Sequence, residues 1–385
     1  MQPNSAIRKI PIAIPCMGEE EWQATREPIM NGWLTQGPKV REFEQNFAKL
    51  HRVKRALATT SCTTALHLAL AGMDIGPGDE VLVPAFTWVA TANVVRYCHA
   101  TPVLDDVDRT TFNIDPARVA AAVTPRTKAI IAVHLFGLCA DMDALRDVTS
   151  GKIPIIEDAA CAAGAMYRGR MAGTLGKVGC FSFHPRKSVT TGEGGMVTTD
   201  DDQFADKMDM LRNHGASISE EQRHKGPAPY LLPEFNLLGF NYRMTDLQGA
   251  VGIVQLRKLE GFIEERSKWA AFYQRELADV VWLRTPTPPA DGRHGWQAYV
   301  TWVDPARAPR PRNEIMQQLQ EQGISTRPGT HAVHMLGLYR DGYGIKRDDF
   351  PGARDCDQNT MAIPLHNAMT EEDYHYVVRN LKSIH

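Results

Sequence analysis

The sequence predicts an α/β chain, with a large unit built on a mostly parallel sheet and a smaller α+β unit at the C-terminus. From about residue 50 to 210, short apolar or β-branched runs alternate with helical patterns. Three of the four clearest runs are nearly all apolar, as strands covered by helices on both faces would be. After residue 283 a stretch rich in proline and charge, 283–294, leads into a shorter mixed segment.

In chain order, Ala65, Leu66, Leu68, Ala69 and Leu70 predict a buried helix after Thr63, and Gly76-Pro77-Gly78-Asp79 turns the chain into the next strand. Strands are expected at 80–84, 102–105, 129–134 and 153–157, and two more at 179–183 and 194–199, for which antiparallel pairing is open. Residues 216–238 carry Pro227, Pro229 and Pro233 with little periodicity and predict an exposed excursion, more a lid or partner-contacting arm than a linker. Met244, Leu247, Val251 and Val254 recur at helical spacing and begin a long helix to about residue 277 that bridges the two units. The boundary is therefore drawn as 1–255, N-terminal arm and large domain, and 256–385, bridging helix and small domain. Thr370 with Asp373 caps a last helix whose apolar face is Tyr374, Val377, Val378 and Leu381.

With 385 residues the chain has room for about two domains. Its 43 basic against 45 acidic side chains give a net charge of −2, which offers no bulk attraction to nucleic acid or acidic membranes. The longest apolar stretch, 129–140, contains His134 and is far short of the roughly 18–20 residues a membrane helix needs. Arg8 and Lys9 are followed by Pro11, Pro15 and Glu19 rather than by the apolar core of a signal peptide. Seven cysteines, odd in number and without a CxxC pair, suit a reducing cytoplasm and weigh against a disulfide framework or structural zinc. His331 and His334 have no third ligand at a recognisable spacing, so no metal is expected.

Three groups of residues could carry chemistry. Thr59 to Thr64 is a run of hydroxyls between a strand and a helix, interrupted only by Cys62; its chemistry suits a phosphate cradle, while taken alone it reads first as a redundant helix cap. The strand at 153–157 ends in Glu157 and Asp158, one of which can face a ligand crevice while the other caps the next helix. Lys187 follows Phe181-Ser182-Phe183-His184 and precedes the glycine-rich Gly192-Glu193-Gly194-Gly195, where neighbours could make it a nucleophile; taken singly it is an ordinary surface lysine. No GxGxxG or GxxxxGK string opens a helix after a strand, which removes support for nicotinamide and P-loop readings. Taken together with the aromatic Trp88, the set is what pyridoxal phosphate requires: donors for its phosphate, a flat partner and a carboxylate for its ring, an amine for its aldehyde.

At this level the sequence resembles the DegT/DnrJ/EryC1/StrS, or sugar, aminotransferases. The resemblance extends from Trp33-Leu34-Thr35-Gln36-Gly37-Pro38 to Ile363-Pro364-Leu365-His366. It is sharpest at Pro84-Ala85-Phe86-Thr87-Trp88, Glu157-Asp158-Ala159-Ala160, Phe181 to Lys187 and Gly239-Phe240-Asn241-Tyr242-Arg243. It implies the aspartate-aminotransferase-like fold, fold type I, with pyridoxal 5'-phosphate as cofactor. Carried over by position, Lys187 holds the cofactor covalently, Asp158 partners its ring nitrogen and Trp88 stacks on the ring. Cys62, Thr63 and Ser182 hold the phosphate, Asn241 reaches it from the neighbouring subunit of a homodimer, and Arg243 and His334 contact the acceptor.

Two departures stand out: Cys62 replaces the usual Gly or Ala, and Cys161 replaces a Gln or His that contacts the ring oxygen, where a thiol is a weak donor. Lys187 stands where the dehydratases of this family carry His, which favours amino transfer. The resemblance implies a ping-pong transfer from L-glutamate or L-glutamine to a keto sugar, with a nucleotide-linked one expected. A cyclitol or inosose ketone, and a non-catalytic sensor that merely binds the cofactor, are the alternatives.

Overall fold

The computed structural model describes residues 8–228 and 230–385; Pro229, one of the prolines of the expected excursion, lies outside them. Helices α1 (Glu19–Asn31) and α2 (Pro38–His51) precede the first strand, β1 (Arg55–Thr59), which leads into α3 (Cys62–Gly72). Strand β2 (Glu80–Pro84) is followed by α4 (Ala90–Tyr97), β3 (Thr101–Asp105), β4 (Thr127–Val133), β5 (Ile155–Asp158), β6 (Val178–Ser182), β7 (Gly195–Thr199) and α5 (Asp202–Arg212). These seven strands form one sheet in the order β1-β7-β6-β5-β4-β2-β3. Only β7 runs against the others, pairing antiparallel with both β1 and β6, so the open pairing of the two strands around residue 190 resolves as antiparallel.

That topology decides where a site can lie. The C-terminal ends Thr59, Pro84, Asp158 and Ser182 share one edge of the sheet, and Gly195, the first residue of the reversed strand, pairs with Ser182 and Thr59 at the same edge. An open α/β sheet offers its ligand crevice there. Val81, Leu82, Val83, Ile130 and Ile131 are all 0% exposed, because helices cover both faces, and this explains their unbroken apolar text. Phe47 packs edge-on to Phe181 at 4.9 Å beneath α2; burying one such ring stabilises the fold by about 1.5–3 kcal/mol.

The bridging helix, α6 (Asp246–Glu276), starts at a capping box formed by Thr245 and Gln248, two residues later than the periodicity suggests, because Met244 is buried ahead of the cap. It is continuous through residues 255 and 256, where the sequence boundary was drawn. The buried Asp246 carboxylate accepts the amides of Gly37 (2.8 Å), Lys39 (3.1 Å) and Val40 (3.0 Å), tying the start of α2 to the start of α6. A side chain at Gly37 would collide with the Trp33 ring, which accounts for the glycine before Pro38.

Beyond α6, β8 (Leu283–Arg284), β9 (Tyr299–Val303) and β10 (Thr360–Ile363) form a small antiparallel sheet. Helix α7 (Glu371–Lys382) closes it, capped by Thr370 and burying Tyr374, Val377, Val378 and Leu381. Trp269 of α6 stacks on Tyr374 at 4.1 Å, so the bridging helix is part of this second core. The excursion at 216–238 holds one short helix, Glu220–Lys225, which its prolines had masked, and is pinned at its base by the bridge between Ala216 and Phe235. Among the described residues no helix is long and apolar enough to cross a membrane.

Candidate active site

Because strand side chains alternate, Glu157 and Asp158 point to opposite faces of β5. Glu157 is fully buried, 2.8 Å from His134 Nε2, and accepts the amides of Gly173, Leu175 and Gly176 at 2.6 Å each. Its oxygens are all engaged in holding the 173–176 loop. Asp158 faces the crevice: Oδ2 accepts from Thr91 Oγ1 at 2.8 Å, Oδ1 from the Ala160 amide at 3.2 Å, and Cys62 Sγ lies 3.9 Å from Oδ1. Burial pushes the Asp158 carboxyl above the usual carboxylate range, opposed by Thr91, the Ala160 amide and Lys187.

Lys187 follows β6, and its Nζ lies 3.2 Å from Cys161 Sγ. Burial works against its charge, but Cys161, Cys62 and Asp158 outweigh this and hold the ammonium above the usual lysine range. Cys62 opens α3, where Ser61 caps the helix by accepting the Thr64 amide. The first-turn amides of Cys62 and Thr63 have no intrahelical acceptor. A Cβ on Gly195 would meet the Ser61 carbonyl oxygen at 2.4 Å and the Cys62 nitrogen at 2.7 Å, so the absent side chain lets β7 bring Ser182, its register partner, beside that helix start. Ser182, 9% exposed, is near its own His184 amide at 3.4 Å.

Trp88 is 60% exposed at the mouth of this cluster, its ring 5.6 Å from that of His331, whose backbone pairs with Thr87. Asn241 is exposed and bridges Asn213 through its backbone; Arg243 Nη1 donates to Asn213 Oδ1 at 2.9 Å. Arg243 lines a cavity of about 310 Å³ with Thr35, Gln36, Arg41 and Arg212, and within this chain neither it nor Asn241 touches Lys187 or Asp158. The expectation for His334 is corrected: it is 1% exposed, with Nε2 on the Arg347 carbonyl (3.1 Å) and its ring against Phe350, and so it cannot meet an acceptor arriving from solvent. His331, three residues earlier, is the exposed member of the pair. Among the described residues no group of three or more His, Cys, Asp or Glu is arranged for a metal ion.

Sequence reasoning missed Thr91, whose hydroxyl grips Asp158. Its spacing of four from Thr87, 3.1 Å away hydroxyl to hydroxyl, was the available signal.

Residues 15–382 match the model of the DegT/DnrJ/EryC1/StrS aminotransferase family. The chain belongs to this family. It is 40% identical over 377 residues to the spore coat polysaccharide biosynthesis protein SpsC of Bacillus subtilis, covering 97% of each chain. It is 39% identical to GDP-perosamine synthase of Caulobacter vibrioides, covering 99% of each. Among solved structures, Spr1654 from Streptococcus pneumoniae in its PMP form superposes with a TM-score of 0.92 at 28% identity, covering 98% of this chain and 99% of that one; its PLP form gives 0.90. The protein is therefore a pyridoxal-phosphate-dependent aminotransferase of fold type I. Its residues fit that cofactor: a half-buried amine, a buried carboxylate and a helix start with spare amides converge at one sheet edge.

Proposed function

We propose that the enzyme transfers the amino group of L-glutamate or L-glutamine to a keto sugar carried on a nucleotide, acting as a homodimer in the cytoplasm. The observation that carries this reading is the meeting of Lys187, Asp158 and the start of α3 at the sheet edge. The name of the Caulobacter relative supports a nucleotide-linked acceptor, and that of the Bacillus relative a role in polysaccharide synthesis. All seven cysteines are free, which suits a reducing compartment. Exposed Trp22, Met30, Leu232 and Leu238, 66%, 72%, 80% and 92% accessible, offer the apolar surface a second copy would cover.

The cofactor supplies an electron sink for a carbanion at the amine-bearing carbon. Lys187 would hold it through Nζ in the resting enzyme, and the free Nζ would take the proton from the donor Cα. Asp158, whose ionised form Thr91 and the Ala160 amide favour against the pull of burial, would partner the ring nitrogen and hold it protonated. The amides of Cys62 and Thr63 and the Ser182 hydroxyl would hold the phosphate, Trp88 would stack on the ring, and Cys161 would offer the ring oxygen only a weak donor. Asn241 from the neighbouring subunit completes the phosphate site, and Arg243 contacts the acceptor from its cavity wall.

The test loads the protein with pyridoxamine phosphate and screens nucleotide-linked 3-keto and 4-keto sugars by mass spectrometry. A product carrying one amine in place of the ketone oxygen is expected. Amination of an inosose but of no sugar would move the acceptor to the cyclitols. Failure of every amino donor to generate pyridoxamine phosphate would return the protein to a cofactor-binding sensor.

A further inference from the structure

Helix α4 carries Thr91, whose hydroxyl grips Asp158, and begins two residues after Trp88. Its placement therefore bears on both. The helix is only eight residues long and Val89 at its head offers no side-chain cap, so its position depends on tertiary contacts. Thr91 and Asn93 stand about 200° apart around it and face opposite ways. Thr91 meets the sheet edge through Asp158, whereas Asn93 Oδ1 accepts from the Tyr339 hydroxyl at 2.7 Å. Tyr339 is 0% exposed and lies 246 residues further along the chain. Burial pushes its hydroxyl pKa up to about 12, so the hydroxyl keeps its proton and donates.

The same C-terminal stretch clasps the chain on either side of Thr91. His331 and Ala332 pair antiparallel with Thr87 and Phe86, and the Val333 amide donates to the Ala85 carbonyl at 2.7 Å. At the far end of α4 the exposed Arg96 guanidinium lies 5.8 Å over the Tyr343 ring. The backbone pairing stops short of the helix and the Arg96 contact sits in its last turn; the hydrogen bond from Tyr339 reaches α4 at the level of Thr91. We propose that Tyr339 is a positioning residue, which acts through Asn93 to hold α4 against the sheet edge and keep the Thr91 hydroxyl on Asp158. A hydrogen bond weakens steeply as its distance and angle open, so a small drift of the helix is enough to loosen that grip. The inference rests on Asp158 as the partner of the cofactor ring, as proposed above.

The test is a double-mutant cycle on cofactor affinity, with wild type, Tyr339→Phe, Thr91→Val and the double variant dialysed to equilibrium against pyridoxal phosphate and the visible band of each recorded. Tyr339→Phe, which removes one oxygen, should weaken binding about 3- to 10-fold and move the band in the same direction as Thr91→Val. The double variant should bind within about twofold of Thr91→Val alone, because without the Thr91 hydroxyl there is nothing left to position. A merely structural role for Tyr339 would multiply the two losses instead. Asn93→Ala cuts the same link from the helix side; it should match Tyr339→Phe within about threefold, and likewise add nothing to Thr91→Val, which decides the matter should Tyr339→Phe fail to fold. Wild-type affinity in the folded single variants, or a double variant weakened by the product of the single losses, overturns the proposal. Asp158→Asn with wild-type affinity and spectrum would remove the ring assignment, and the proposal with it, so the two failures are distinct.

Discussion

Thr91 Oγ1 donates to Asp158 Oδ2 at 2.8 Å, with the two residues 0% and 5% exposed. Thr91 has one hydroxyl proton, and it goes to the carboxylate; the 3.1 Å contact with Thr87 Oγ1 is therefore donated by Thr87. Burial drives the Asp158 carboxyl towards its neutral form, and this hydrogen bond opposes it. Thr91→Val, close in shape, should leave Asp158 less ionised and raise the cofactor dissociation constant about 10- to 100-fold, read by equilibrium dialysis of pyridoxal phosphate. Unaltered affinity would mean that Thr91 only fills space.

The neighbouring carboxylates should respond in opposite ways. Glu157→Gln turns an amide nitrogen towards backbone donors and should cost about 1–3 kcal/mol of stability, with the bound-cofactor spectrum unmoved. Asp158→Asn should change that spectrum and weaken cofactor binding. Thermal melts and absorbance scans of the two holoenzymes separate them; a spectral change on Glu157→Gln would mean that the loop it holds, 173–176, shapes the cofactor site.

Gly195 is the point where β7 touches the start of α3. Gly195→Ala forces its methyl against the Ser61 carbonyl and the Cys62 nitrogen, both backbone atoms with little room to yield. A loss of about 1–3 kcal/mol is expected, together with weaker binding of free phosphate as a competitor of the cofactor. A variant with wild-type melting and phosphate affinity would show that α3 shifts without consequence.

His51 predicts an acid-sensitive step away from the cofactor. It is 1% exposed, stacked on Phe47 at 4.0 Å, with Nδ1 donating to the Phe47 carbonyl and Nε2 lacking any partner. Burial, with a smaller contribution from Arg293, lowers its pKa from 6.5 to about 4. Above pH 6.5 the ring is neutral in folded and unfolded chains alike, and its stability contribution is fully present. As pH falls from 6.5 towards 4 only the unfolded chain takes up the proton, so stability is lost, by about 2 kcal/mol at pH 5. Urea midpoints at pH 8 and pH 5 should therefore differ less in His51→Leu than in wild type. His294, lowered to about 3 by burial, keeps a residual slope in both. An equal difference in the two proteins would contradict the shift.

Much of this was legible in the sequence because the physics is local. The short β-branched apolar run Ala129 to Val133, bounded by turns, suits a strand covered on both faces, and Thr370 with Asp373 at the head of an amphipathic pattern marks a helix start. What was not legible depends on facing. The pair Glu157 and Asp158 alternates across a strand whose inward side the text does not mark. His331 and His334 are three apart, but the chain passes from a strand into a single 3-10 turn between them, so one is exposed and the other buried. Tyr339, 246 residues from Asn93, carries no local signal of that contact at all; only the fold brings the two together.

The central claim is that Lys187 is the amine that holds the coenzyme. Borohydride reduction of the holoenzyme, followed by proteolysis and peptide mass spectrometry, reads that directly. The pyridoxyl label is predicted on the peptide containing Lys187, with none in Lys187→Ala. Label on another lysine, or an unlabelled protein whose visible band survives reduction, would contradict it.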